Sequence, residues 1–200
     1  MTGPVLSRGY HGLPKGCLAN VVTCLEMHER PAPRPAISEG LSLAPLTGGP
    51  DAYLPLYRLV GSDWMWFSRL AMPREKLESI LQSPQVEAYV LRQDSRDAGL
   101  LELDFREAGQ CELAFFGLAP LAIGTGAGRY LMEQAIARAW AKPIRRLWVH
   151  TCSFDHPQAL GFYQRSGFRP YQVMVEVHDD PRLDGHLPRA ASPHVPLIDS

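Results

Sequence analysis

The chain has 200 residues, with 20 Lys and Arg against 21 Asp and Glu, and 46% of it is hydrophobic. That suits one soluble domain large enough for its own core, and a formal net charge of -1 argues against a nucleic-acid binder that works by neutralising phosphates. No run approaches the roughly 18 apolar residues of a membrane span, no basic-then-apolar leader opens the sequence, and Cys17, Cys24, Cys111 and Cys152 form no Cys-x-x-Cys pair. A cytoplasmic protein with reduced thiols, no metal site and no membrane partner is the expectation.

Residues 1 to 16 carry Gly and Pro without periodicity and read as coil. Leu18 to Met27 is a strand with a continuous apolar centre. The run Pro31-Ala-Pro33-Arg-Pro35-Ala36 favours extended polyproline geometry, which serves either as a stiff surface connector or as a proline-rich docking motif. Leu41 to Leu46 is a short strand limited by Pro45. Asp51 to Val60 is a helix whose regular bonding is expected only from Pro55 onward. Next, Asp63, Trp64, Trp66 and Phe67 cluster, fit either for core packing or for one wall of a cleft. Pro73 to Leu81 is a short helix with Leu77, Ile80 and Leu81 on one face.

Val86 to Arg92, Leu101 to Phe105 and Cys111 to Leu118 predict an antiparallel meander, with turns at Asp94 to Gly99 and Glu107 to Gln110. Leu113 to Leu118 then runs into Ile123-Gly124-Thr125-Gly126-Ala127-Gly128, and Arg129 to Trp140 has helical period. Glycines at alternate positions let successive N–H groups converge, and a helix start adds positive potential, so the strand-turn-helix unit suits an anion such as a phosphate. It is not a Walker A loop, because no Gly-Lys-Ser/Thr follows. Arg145 to Cys152 is a strand with His150 near its end, Asp155 is expected to cap the next helix with Pro157 in its first turn, and Phe168 to Val177 is a strand. Beyond the turn at Asp179 to Gly185, only Val195 to Ile198 offers strand material, and Pro196 interrupts it.

Two strings in order resemble the GCN5-related N-acetyltransferase (GNAT) superfamily. The first is Glu112, the apolar strand, Pro120 and Ile123 to Gly128; the second is Ala159-Leu-Gly-Phe-Tyr163-Gln-Arg-Ser-Gly167-Phe168. Ile123 departs from the polar residue usual there. The resemblance implies an α/β (α+β) acyl-CoA N-acyltransferase fold: a mixed, mostly antiparallel sheet flanked by helices. It divides the chain into an N-terminal extension (1–40), the acyltransferase core (41–178) and a tail (179–200). Family members carry two strands after Gly-Phe, so the extra strand at Leu18 to Met27 is expected to fill the vacant place beside the last strand, from its own chain or across a homodimer.

The implied reaction moves an acetyl group from acetyl-CoA to a primary amine of a small molecule or peptide. The cofactor would lie against Phe116, Gly117, Leu118, Ile123, Gly124, Thr125, Gly126, Ala127, Gly128, Arg129 and His156, with an N–H near Leu118 facing the developing oxyanion. Tyr163 would be the acid for the leaving thiolate. Glu112 aligns with the family's general base, and Glu102, Asp104 and His150 are rivals for that role. Asp63, Trp64, Trp66, Phe67 and His150 would meet the acceptor. A non-catalytic acyl-CoA-binding module, and an interaction protein using the proline run, remain open at this point.

Overall fold

The structure, a computed structural model, describes residues 5–35 and 39–198; the start of the expected N-terminal coil and Ala36 of the proline run lie outside the described residues. The strands are β1 (Cys17–Met27), β2 (Leu41–Pro45), β3 (Val86–Gln93), β4 (Arg96–Asp104), β5 (Gln110–Leu118), β6 (Arg146–Cys152) and β7 (Arg169–Asp179). They form a single sheet in the order β2-β3-β4-β5-β6-β1-β7. Only β5 and β6 pair in parallel; the other neighbours are antiparallel.

Alternation along β4 sorts the two faces. Leu100 packs with Tyr53, Leu56, Tyr57 and Val60 of helix α1 (Gly49–Gly61) and, past the short helix α2 (Ser68–Ala71), with Leu77 of α3 (Arg74–Leu81). Leu101 and Leu103 point the other way, against Leu131, Met132, Ala135 and Ile136 of α4 (Ala127–Ala139) and Tyr163 of α5 (Ala159–Arg165). A strand buried on both faces therefore carries an apolar residue next to an apolar residue, which explains why strict alternation understated its length. β4 begins at Arg96, and the turn shrinks to Asp94 and Ser95, both with positive φ, between the paired residues Gln93 and Arg96.

Three further expectations need correction. α1 starts at Gly49 and runs through Pro55, because Pro50 sets the first turn and the buried Tyr53–Tyr57 face holds the helix despite one missing N–H. Asp155 does not cap α5, whose N-cap is Gln158; its carboxylate serves the cleft described below. Val195 to Ile198 form no strand. The carbonyls of Val195 and Pro196 instead accept from the Arg182 guanidinium, which is buried with Asp180 at 2.7 Å and ties the tail back on itself.

The place beside the last strand is filled in cis. β1 lies between β6 and β7, with Cys24 opposite His150 and Asn20 opposite Glu176. The N-terminal strand is thus an interior strand of the sheet. The tail then packs Leu187, Ala191 and Val195 on Met65 and Phe154, forming a third small core at the edge of the cleft.

Candidate active site

The cleft is a consequence of strand pairing. β5 and β6 pair only from Gln110–Arg146 to Glu112–Trp148. Beyond that point they part, and a bulge at Ala114 lets β5 turn: Glu102 faces Phe115 while Leu103 faces Leu113. The bulge also switches sides. Leu113 and Phe116 both reach the α4 side, whereas Phe115 packs with α1. The parted strands open into a cavity of about 1000 Å³.

One end is built from backbone. Ala119 N–H donates to Ala98 O at 2.9 Å, so strand alternation turns the N–H and C=O of Phe116 and Leu118 the other way, into the gap that β6 has left. After Pro120, Gly124 (φ 82°) and Gly126 (φ 92°) take conformations that a Cβ disfavours, and Gly126 is the N-cap of α4. The amides of Ile123, Thr125 and Arg129 are used in local turns, and Ala127 N–H reaches Thr125 Oγ1 at 3.4 Å. Those of Gly124, Gly126 and Gly128 have no intrachain acceptor among the described residues. Unpartnered amides at a helix start fit a pyrophosphate. Ile123 is exposed and adds no polar contact. Ala127 is fully buried, so it shapes the turn rather than lining the cleft.

Tyr163 stands on α5 with its ring against Phe116, Phe162 and Phe168. Burial, then the Asp155 charge, push its pKa well up, so the phenol stays protonated. Its hydroxyl has no hydrogen-bond partner among the described residues, yet Tyr163 lines the cavity and the oxygen is not sealed off. A protonated donor without a protein acceptor faces the cleft.

Three carboxylates stand in line where β4 meets β5, and their surroundings separate them. Glu102 is fully buried, its oxygens taken by Arg69 and by Tyr53 Oη, and it does not line the cavity. Asp104 lies below the usual carboxylate range: burial opposes ionisation, but the Arg106 side chain and N–H outweigh it. Both Glu102 oxygens are thus already engaged, and Arg106 holds Asp104 ionised. Glu112, directly across from Asp104, is pushed up to about 7 by burial first and then by the charges of Asp104 and Glu102. His150 Nδ1 is 3.7 Å from Glu112 Oε1.

The opposite end of the cleft is made of side chains from scattered elements. Trp66 packs on Gly117, where a Cβ would meet Val60 Cγ1 at 2.4 Å and Trp66 Cη2 at 3.0 Å, and its ring also contacts Tyr57 and Phe115. Trp66 Nε1 donates to Asp155 Oδ1 at 3.2 Å, while Asp155 Oδ2 accepts from Thr151 Oγ1 and Cys152 N–H. Asp155 thereby ties the aromatic loop to the end of β6. Trp64 contacts His156, and Phe67 contacts His178 of β7. Of the residues expected here, Trp64, Trp66, Phe67 and His150 line the cavity, and so does His156. Asp63 does not: it is exposed, and its carbonyl accepts from Ser192 Oγ at 2.6 Å. The geometry adds Tyr57, Arg69, Asp155 and, through the β1–β7 register, Asn20, Glu176 and His178. Only Asp155 had a sequence signal, which local spacing assigned to capping α5 rather than to the cleft.

Comparison with known proteins decides the family. The sequence model of the Acetyltransferase (GNAT) family matches residues 53–168. The chain belongs to the GNAT acetyltransferase family. The match spans α1 to the end of the second string, and so takes in both the glycine turn and Tyr163. No protein among the curated sequences matches the chain. Among solved structures it is similar to a GNAT-family acetyltransferase of Novosphingobium aromaticivorans, with a TM-score of 0.56 and 18% identity over 84% of this chain and 68% of that one. A GCN5-related N-acetyltransferase of Sphaerobacter thermophilus gives 0.56 and 14%, over 80% of this GNAT chain but only 52% of its own. A GNAT acetyltransferase of Elizabethkingia anophelis with acetyl-CoA bound gives 0.50 and 20%, over 67% and 79%. At these identities the neighbours establish the fold: a mixed sheet flanked by helices, of the acyl-CoA N-acyltransferase type.

Proposed function

We propose that this GNAT protein is an N-acetyltransferase, moving an acetyl group from acetyl-CoA to a primary amine of a small molecule or peptide. The observation that carries the reading is one cavity holding both unpartnered turn amides and a carboxyl with a pKa of about 7. Acetyl-CoA would supply the acetyl group in activated form, as a thioester. The amides of Gly124, Gly126 and Gly128 would hold its pyrophosphate. The backbone of Phe116 and Leu118 would align its extended arm, leaving the Leu118 N–H to stabilise a developing oxyanion.

Glu112 would take a proton from the incoming ammonium at a carboxylate oxygen, a task that its pKa near neutrality suits. Tyr163 Oη would donate a proton to the leaving sulfur. The aromatic wall of Tyr57, Trp66, Phe67 and Phe115 favours an acceptor with an apolar or aromatic portion, while Glu112 and Glu176 favour its cationic amine. The test is incubation with acetyl-CoA and a panel of aromatic, aliphatic and peptide amines, followed by thiol release and product mass. Acetylated amine supports the reading. Binding of acetyl-CoA with no turnover on any amine would instead identify a non-catalytic binding module.

A further inference from the structure

Two cations line the cleft beside its backbone-built end and have no ion pair or side-chain hydrogen bond among the described residues: Arg129 on α4 and Arg165 on α5. A third comes from outside the family-matched segment. After β1 the proline run passes the exit of α5, where Pro31 Cβ and Cγ lie 3.7 Å from the position a Cβ would take on Gly167. Three residues on, the Arg34 N–H donates to Glu133 Oε2 at 3.2 Å, and Arg34 Nε is 4.0 Å from Glu133 Oε1. Arg34 lines the same cavity as Gly126 and Arg129.

Glu133 follows Arg129 by one turn on α4 and stands seven residues past the N-cap Gly126, about 10 Å along the axis. We propose that Arg34 recognises the ribose 3′-phosphate of a coenzyme A donor, at a point beyond the pyrophosphate held by the glycine turn; this rests on the acyl-CoA reading above. Pro31, Pro33 and Pro35 fix φ on either side of Arg34 and lower the entropy lost in holding it there. The Arg34 side chain is 45% exposed and its contact with Glu133 is long, so the other arms of the fork are available to a phosphate. The need follows from the turn itself, which offers amides but, with Ile123 at its start, little else. Arg34, Arg129 and Arg165 against Glu133 leave this end of the cleft net positive. The proline run is therefore more than a spacer: it delivers one ligand.

The experiment is calorimetric titration of wild type and Arg34→Ala with coenzyme A and with 3′-dephospho-coenzyme A at low salt. Wild type is expected to prefer coenzyme A. Arg34→Ala should bind it about three- to tenfold more weakly, as for a half-exposed charge-assisted contact, and bind the dephospho form as wild type does. Arg34→Gln, which keeps a hydrogen-bonding side chain without the charge, should behave like Arg34→Ala, and the melting temperatures of all three should agree. Retention of the wild-type preference by both variants overturns the proposal, and so does an equal loss for both ligands. If wild type binds neither ligand, the acyl-CoA reading fails first; if it binds both and the variants match it, only Arg34 is excluded.

Discussion

The two ends of the cleft are built on different principles. The end at the glycine turn takes its main-chain groups from one contiguous stretch, Phe116 to Arg129, whose directions follow from strand alternation and two positive φ values, with Arg34 and Arg165 beside it. The other end draws Tyr57, Trp66, Arg69, Glu112, Asp155 and Glu176 from six segments, and presents side chains whose pKa values and directions depend on their neighbours. A backbone-built site tolerates a foreign side chain such as Ile123, since the amides remain. A side-chain-built site changes its chemistry when one partner changes. Substitutions at one end should therefore alter donor affinity, and those at the other should alter rate, pH dependence and acceptor choice.

Tyr163→Phe probes the junction and should have the largest effect. The ring contacts persist and the hydroxyl has no protein partner to lose, so the melting temperature and donor affinity should hold while turnover falls on the order of 10²-fold, the low end for general acid catalysis. Equal rates would make Tyr163 a packing residue. Glu112→Gln should lower turnover with protonated amines by about 30-fold, less than a full general-base effect because His150 lies 3.7 Å away. The wild-type rate should rise through pH 7 as Glu112 loses its proton, and the variant should flatten that limb. Stability gives a second readout of the same group. A carboxyl whose folded pKa is raised contributes stability below its ordinary 4.5 and loses it as pH rises through about 7. Glu112→Gln should then gain on wild type in melting temperature above pH 7 and not at pH 4; a constant difference would mean that Glu112 is not perturbed.

The smallest expected effect is on acceptor binding. Trp66→Phe removes the 3.2 Å bond to Asp155 but leaves Asp155 on Thr151 and Cys152. The acceptor KM should rise about fivefold, the worth of about one hydrogen bond, with donor affinity unchanged. A change in donor affinity would blur the division between the ends.

The same division decides how much was legible in the sequence. Glycine spacing and strand alternation are local, so the turn could be placed from residues alone, whereas Tyr163 was singled out by the resemblance of the second string to the family's. Glu112 could be named as a candidate base beside Glu102 and Asp104 but not told apart from them, because their surroundings differ through the placement of Arg69, Tyr53 and Arg106 in three dimensions. Asp63 and Asp155 were misplaced for a related reason. Asp63 sits beside the tryptophans in sequence, yet the 3-10 turn Ser62–Trp64 leaves it exposed. Asp155 stands at a plausible cap position, but the free N–H of Cys152 and the Trp66 indole compete for it. The position of β1 needed knowledge of which slot in the sheet lacked a strand.

If the glycine turn binds the donor through its backbone, calorimetric titration of wild type and Gly126→Val with coenzyme A will show it. Gly126 holds φ at 92° as the N-cap of α4, where a β-branched residue is strained by about 1–2 kcal/mol and disturbs the neighbouring amides. Wild type should bind coenzyme A, Gly126→Val should bind about tenfold more weakly, and Glu112→Gln should match wild type. Wild-type affinity in a folded Gly126→Val protein would contradict it.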